Sequence, residues 1–218
     1  MQINECSSDL LSIKCGVPQG SILGPKLFIL YINDICSVSD VCKFVLFADD
    51  TNILCTGYDI DYLSSCVCEV LENLKIWFIV NKLSLNINKT NFMLFSKRHC
   101  DKTILIKLDE YVIDRVYSTK FLGVVIDSEL NWKEHIKKVK SKVTKSLAIM
   151  YNLKEVLSVK SMKLLYNSLV FPYINYCLEV WGNTYQSNIH PIFVMQKKAI
   201  RLVFKANFND HTNAFLLI

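Results

Sequence analysis

Residues 43–54 read Lys-Phe-Val-Leu-Phe-Ala-Asp-Asp-Thr-Asn-Ile-Leu, two apolar, β-favouring runs with a pair of aspartates between them. Both flanks suit short strands and Asp suits a tight turn. The segment therefore predicts a hairpin with Asp49 and Asp50 at its tip. Adjacent carboxylates repel each other, and an apolar hairpin gains nothing from them. A divalent cation would neutralise the pair, and hard oxygen ligands favour Mg²⁺. Taken alone, an Asp-Asp at a turn is more often a solvated turn than a metal site.

The rest of the chain is rich enough in apolar residues to fold around that hairpin. Of 218 residues, 51% are hydrophobic, with only 6 Gly and 4 Pro, which excludes a disordered or low-complexity polypeptide. That length suits one large domain or two small ones. Charged residues interrupt every apolar stretch well short of the roughly 18 residues that a membrane span needs. Leu27–Ile32 and Ile76–Val80 read instead as core faces of helices. Met1–Glu5 has neither the basic nor the apolar region of a signal peptide, so nothing directs the chain to secretion. Nine cysteines are present, an odd number, and Cys42, Cys55, Cys66 and Cys177 sit in apolar patterns without a Cys-x-x-Cys pair. They predict buried free thiols in a reducing compartment.

Net charge is uneven. Residues 1–80 carry 4 Lys/Arg against 10 Asp/Glu, whereas residues 81–218 carry 21 against 10. The densest basic segment holds Lys133, Lys137, Lys138, Lys140, Lys142 and Lys145, opposed only by Glu134. An acidic part around a metal site followed by a basic part suits an enzyme acting on a polyanion. A solvated helix face is the plainer account of a lysine run standing alone.

Along the chain, Leu10–Cys15 predicts a strand, and Gly16-Val17-Pro18-Gln19-Gly20-Ser21 a loop. The stretch from about Gly24 to Ile35 is apolar nearly all round and predicts a buried helix, with Pro25 in its first turn. The apolar spacing of Leu63, Val67, Val70, Leu71, Leu74, Trp77 and Phe78 predicts a long helix after an Asp59 or Asp61 cap. Strands are expected at about Asn91–Ser96, Ile104–Leu108 and Phe121–Ile126. Beyond Trp132 the pattern is helical: Ile136, Val139, Val143, Leu147 and Met150 mark one amphipathic helix. Others are expected from Val159 to Leu169, and from Pro191 to Lys205 with Pro191 at its start. The expected architecture is α+β over 1–130 and all-helical over 131–218.

Gly16-Val-Pro-Gln-Gly-Ser-Ile-Leu-Gly-Pro25 stands 30 positions ahead of the acidic pair, counted from Gln19 to Asp49. Gly20 and Gly24 permit close approach of backbone to a ligand, Gln19 offers an amide, and Ser21 a hydroxyl and a possible helix cap. A structural loop would explain Gly, Ser and Pro but not the whole string. This loop, Leu27-Phe28, Tyr31-Ile32-Asn33-Asp34-Ile35 and Phe47-Ala48-Asp49-Asp50-Thr51 together resemble the reverse transcriptases of non-LTR (LINE-type, jockey-like) retrotransposons. Order and spacing agree as well. Trp77, Asn81–Asn86, Lys89-Thr90 and Met93–Phe95 continue the resemblance. So do Phe121–Val124, Asp127, Trp132, Tyr173, Tyr176, Val180–Gly182 and Gln196–Arg201.

The resemblance implies the later part of a right-hand polymerase palm, antiparallel strands with packed helices, followed by a thumb-like helical region. Its reaction joins a deoxynucleotide to a DNA primer on an RNA template with two Mg²⁺ ions. Asp49 then matches the metal ligand of the hairpin, and Asp50 supports the same site or the primer end. Gln19, Gly20 and Ser21 match the loop against the incoming nucleotide and template, and Phe47 and Ala48 flank the acids. Lys89 matches a lysine near the departing pyrophosphate, although an isolated lysine is ordinarily solvated. Lys133–Lys145 becomes an element that grips duplex phosphates.

The family also needs a catalytic aspartate on an earlier palm strand. Asp9, in Ser7-Ser8-Asp9-Leu10-Leu11, lacks that context and lies too near the loop. The expectation is a 5′-truncated element copy or partial gene model that does not polymerise by itself. The competing reading is a catalytically dead remnant, at most a basic nucleic-acid-binding module. An unrelated metal nuclease is hard to reconcile with loop and hairpin together. No membrane partner is expected, and intracellular action, nuclear or cytoplasmic alike, suits the family.

Overall fold

The computed structural model describes residues 20–96, 104–207 and 210, together with the backbone of the short antiparallel pair β1 (Gln2–Ile3) and β2 (Cys6–Ser7). The strand expected at Leu10–Cys15 and the loop residue Gln19 lie outside the described residues. The fold is mixed α+β, and its chain divides into two compact units: Met1–Asn91 with Lys102–Asp114, and Phe92–Asp101 with Arg115–Ile218.

In the first unit, helix α1 (Leu23–Tyr31) runs into a 3₁₀ turn (Asn33–Val38). Strands β3 (Lys43–Phe47) and β4 (Asp50–Leu54) follow, then helix α2 (Ile60–Val80) and a 3₁₀ turn (Ile87–Lys89). Asp59 caps α2 as expected, its carboxylate accepting from the Tyr62 N–H at 3.0 Å. Val70, Leu71 and Leu74 are buried on the inner face of α2, which packs on the first 3₁₀ turn and on β6 (Ile106–Leu108). Strand β5 is short (Asn91–Phe92), and β6 turns back through Asp109-Glu110 into β7 (Tyr111–Arg115). Three side-chain ties fasten this second hairpin to α2: the Lys75–Asp109 ion pair, the Asp109 N–H donating to Glu72 Oε1 at 3.4 Å, and Ser64 Oγ donating to the Leu105 carbonyl at 3.3 Å.

Helix α1 departs from expectation. It is apolar nearly all round, with Lys26 the one charged residue, yet none of its residues is buried, and Leu23, Leu27, Ile29 and Leu30 are exposed. Its packing within the unit is mainly against the 3₁₀ turn that follows it, which holds the buried Ile35. Hydrophobicity on all faces signals that a helix can be buried; it does not supply the cover.

In the second unit, β8 (Ser118–Phe121) and β9 (Val124–Asp127) form a hairpin. The sequence predicts one strand across Phe121–Ile126. The apolar run is instead broken by a two-residue turn in which Leu122 and Gly123 both take positive φ, 44° and 90°. That combination matches the twist of the flanking strands. Helices α3 (Lys133–Leu153), α4 (Val159–Leu169), α5 (Phe171–Asn175), α6 (Leu178–Trp181) and α7 (Gln186–Phe204) complete the unit. Ile136, Val139, Val143 and Met150 of α3, Met162 of α4 and Ala199 and Val203 of α7 form one core around the fully buried Trp181. Helix α7 begins five residues before Pro191, so the proline sits inside the helix and not at its start. It removes one intrahelical hydrogen bond, a loss offset by burial of Ile192, Ala199, Ile200 and Val203 beyond it.

Several residues of the C-terminal resemblance have structural work here. Asp127 accepts from the backbone N–H groups of Glu129, Asn131 and Trp132 at 3.2, 3.0 and 2.8 Å, shaping the turn into α3. The Tyr176 hydroxyl donates to the Leu122 carbonyl at 2.6 Å, and its ring lies where a Cβ on Gly123 would approach to 3.2 Å. A Cβ on Gly182 would lie 2.5 Å from the Leu178 carbonyl oxygen, so only glycine fits there.

The expectation of buried free thiols fails in two respects: one pair is bonded, and the free cysteines among the described residues are only partly buried or, at Cys36, exposed. Cys42 and Cys55 form a disulfide across the β3–β4 hairpin, while Cys36, Cys66, Cys68 and Cys177 are free. The Cα atoms of the bonded pair are 4.7 Å apart. The pair is the next rung beyond Lys43↔Leu54, and the distance suits a rung without backbone hydrogen bonds. A separation of 13 residues carries no signal until the strand register is known. Among the described residues no helix is long and apolar enough to cross a membrane.

Candidate functional site

The ladder of the acidic hairpin runs Lys43↔Leu54, Phe44↔Ile53, Val45↔Asn52, Leu46↔Thr51 and Phe47↔Asp50. Phe44, Leu46, Thr51 and Ile53 are the less exposed set, whereas Val45, Phe47 and Asp50 point outward. Ala48 and Asp49 alone form the turn, and Ala48 takes φ of 50°. The two acids therefore differ in setting: Asp49 is at the tip, while Asp50 opens β4 opposite the exposed Phe47. Both carboxylates are exposed, and among the described residues neither has a hydrogen-bond or ion-pair partner. Two uncompensated charges presented on a short ribbon form an open face for a cation.

The expected neighbours sit on other elements of the same unit. Gly20 takes φ of 87°, and a Cβ there would meet nothing within 4 Å, so this glycine serves the backbone turn. Ser21 Oγ accepts from the Leu23 N–H at 3.3 Å at the start of α1. Lys89 closes the second 3₁₀ turn, held by its N–H to the Asn86 carbonyl at 3.1 Å, with an exposed side chain. No hydrogen bond or ion pair among the described residues links Gly20, Ser21 or Lys89 to the hairpin.

Carboxylate oxygens are the right donors for Mg²⁺, but a pair of ions needs more of them than one hairpin tip offers. Among the described residues no group of three or more His, Cys, Asp or Glu converges to hold a metal.

In the second unit, the lysines of α3 fall into two stripes by helical spacing: Lys133, Lys137 and Lys140 on one flank, Lys138, Lys142 and Lys145 on the other. The buried face, Ile136, Val139, Val143, Ser146 and Met150, lies between the flanks. On the first, Lys137 pairs with Glu134 at 4.0 Å. On the second, Lys142 Nζ stands 4.6 Å from the centre of the Tyr173 ring. Burial and the neighbouring amines of Lys120 and Lys142 hold the Lys138 pKa below its ordinary value. Lys120 of β8 and Tyr173 of α5 thus join a face that sequence spacing assigns to α3 alone; only tertiary packing brings them in. Beneath this stripe, buried His135 accepts from the Val125 N–H at 3.2 Å through Nδ1, and its ring tilts against Trp181 with centroids 5.3 Å apart. Burial, then Lys138 and Lys142, push its pKa down. This flank therefore carries a surplus of positive charge.

Comparison with known proteins shows what the chain is similar to. The family model described as reverse transcriptase (RNA-dependent DNA polymerase) matches residues 1–126. Among curated proteins, the chain is 25% identical over 211 residues to the RNA-directed DNA polymerase from mobile element jockey of Drosophila funebris. That alignment covers 91% of this chain and 23% of the relative. It is 28% identical over 202 residues to a probable RNA-directed DNA polymerase from transposon BS of Drosophila melanogaster, covering 88% of this chain and 22% of that one. A Pol polyprotein from the type-1 retrotransposable element R1 2 of Nasonia vitripennis is 27% identical over 182 residues, covering 76% and 43%. The chain thus spans under a quarter of the length of the first two relatives. No solved structure matches significantly. Matched over more than half its length by that family model, the chain belongs to the reverse transcriptase (RNA-dependent DNA polymerase) family, in its non-LTR retrotransposon branch.

Proposed function

We propose that this chain is the later part of an RNA-directed DNA polymerase. In this reading residues 1–130 are part of a palm and 131–218 a thumb-like region. The observation that carries it is the pair of unpartnered carboxylates, Asp49 and Asp50, on an exposed two-residue turn in a chain of this family. The reaction is attack of a primer 3′-hydroxyl on the α-phosphate of a deoxynucleotide paired to RNA, with pyrophosphate leaving. Magnesium, when bound, would activate that hydroxyl and stabilise the leaving group.

The chain's own residues take limited roles. Asp49 offers a hard oxygen ligand at the tip, and Asp50 offers a second on the outward face of β4. Phe47, paired across from Asp50, and Ala48 shape the surface beside them. Gln19, Gly20 and Ser21 match the loop that contacts the incoming nucleotide and template in this family. Lys89 neutralises or protonates the departing pyrophosphate. The lysines of α3 hold the duplex by its phosphates and read no sequence. RNA template, DNA primer and deoxynucleotides are thus the partners, in an intracellular setting, nuclear or cytoplasmic alike.

Two carboxylates cannot clamp two ions, so the chain by itself binds primer–template without extending it. The second reading, a catalytically dead remnant retained as a basic nucleic-acid-binding module, draws on the same contrast of an incomplete acidic site and a cation-rich helix. Primer extension on an RNA template with Mg²⁺, run beside filter binding of the same duplex, tests both. Binding without extension is expected. Robust extension that Asp49→Asn abolishes would contradict the incompleteness of the site, and absence of binding would contradict both readings.

A further inference from the structure

The β3–β4 ribbon that carries Asp49 and Asp50 has, among the described residues, two strands and no third. A lone two-stranded ribbon is marginal in water, because it buries one face poorly and leaves both edges unpaired. Its five ladder pairs end at Lys43↔Leu54, and the next rung is the Cys42–Cys55 pair. The bond therefore closes the open end of the ribbon opposite the acidic turn. We propose that Cys42 and Cys55 form a reversible thiol–disulfide clamp that sets the order of the acidic hairpin.

The two sulfurs are unequally accessible, which gives the exchange a direction. Cys42 is 7% exposed, whereas Cys55 is only partly buried and can be reached from solvent. Starting from the dithiol, the Cys55 thiolate attacks one sulfur of a small external disulfide such as oxidised glutathione. A mixed disulfide forms and one glutathione thiolate leaves. The Cys42 thiolate then attacks Cys55 Sγ and expels the second glutathione. The protein loses two electrons and two protons, and the glutathione disulfide gains them as two thiols. Reduction runs the same steps backwards, with attack again at the accessible Cys55 sulfur. No partner other than Cys42 is presented to Cys55 by the ladder, since the register that pairs Ala48 with Asp49 at the turn also places 42 opposite 55.

Closing a loop of this length removes unfolded conformations of the ribbon and holds the turn that presents the acids. The clamp stands on strand register and accessibility alone; its consequence for nucleotide transfer rests on the polymerase reading above. The test therefore reads the hairpin and not catalysis. The whole chain is equilibrated in oxidised and in reduced glutathione buffers, alkylated, digested and mapped by mass. In parallel, amide hydrogen exchange is followed over residues 43–54.

Oxidised buffer is expected to yield a peptide linking Cys42 to Cys55, and to slow exchange in the ribbon on the order of a hundredfold relative to reduced buffer. Cys55→Ser, at the more exposed position, is expected to remove that difference while exchange in α3 stays unchanged. Full alkylation of both cysteines in oxidised buffer would overturn the proposal. Pairing of either with Cys36, Cys66 or Cys68, or ribbon exchange indifferent to redox state, would overturn it too. Failure of primer–template binding would leave these outcomes untouched and count against the polymerase reading alone.

Discussion

Gly123→Ala probes the contact that ties the β8–β9 turn to the helices. Gly123 takes φ of 90°, where an L side chain meets its own backbone at a cost of about 1–2 kcal/mol. The added Cβ would also stand 3.2 Å from Tyr176 Cε1. That ring can give way only by loosening its hydroxyl from the Leu122 carbonyl at 2.6 Å, a bond worth about 1 kcal/mol. Alanine recovers about 0.4–1 kcal/mol by restricting the unfolded chain. The net expectation is a loss of about 2 kcal/mol. Urea denaturation followed by tryptophan fluorescence in a Trp77→Phe background measures it, since Trp132 and Trp181 then report the second unit. Tyr176→Phe should cost about 1 kcal/mol, because only the hydrogen bond is lost. Combining Gly123→Ala with Tyr176→Ala should cost less than the two single changes together, because truncation removes the clash. A loss under about 0.5 kcal/mol for Gly123→Ala would show that neither the backbone conformation nor the Tyr176 contact constrains this position.

Other parts of the molecule yield expectations of the same kind. Asp127→Ala strands three backbone N–H groups at the start of α3 and should cost about 2–4 kcal/mol in chemical denaturation, with Asp127→Asn intermediate. Folded His135 has its pKa pushed below the unfolded value of about 6.5, so the unfolded chain takes up the proton first as pH falls. Its contribution to stability is complete above about pH 6.5. It declines by at most about 1.4 kcal/mol per unit as pH falls towards the folded value, and levels off below that; a His135→Gln variant should flatten the decline in a pH series of melts. Charge reversal of Lys138, Lys142 and Lys145 should weaken RNA–DNA duplex binding at least about tenfold at low salt. It should also make the log–log salt slope shallower by about 0.9 for each phosphate that is no longer neutralised; an unchanged slope would remove those lysines from the interface.

Sequence is a sufficient guide where a local pattern has one structural outcome. Two β-favouring runs around Ala-Asp fold back as the β3–β4 hairpin, and the Asp59 cap and the 3.6-residue spacing of α2, α3 and α4 place those helices correctly. It falls short wherever the outcome depends on what lies across space. Phe121–Ile126 reads as one apolar strand because its turn is marked by a single glycine, with Leu122 sharing the left-handed geometry. Pro191 looks like a helix start, since nothing local shows that the packed C-terminal half of α7 holds the helix through it. Apolar α1 lacks the cover its composition implies, and Cys42 and Cys55 meet only through strand register. At the site itself, the acidic pair and the α3 lysines are legible as motif and as periodicity. The separation of Asp49 at the tip from Asp50 within β4, and the addition of Lys120 and Tyr173 to the lysine face, follow from folding alone.

The proposed polymerase role requires the hairpin carboxylates to bind a divalent metal. Manganese titrated into the isotopically labelled chain tests it directly, because paramagnetic broadening of amide resonances detects even weak sites. Broadening concentrated at residues 47–52, displaced by excess Mg²⁺ and absent in Asp49→Asn/Asp50→Asn, is the predicted result. Broadening spread over other acidic positions, or unchanged in that variant, would contradict the account.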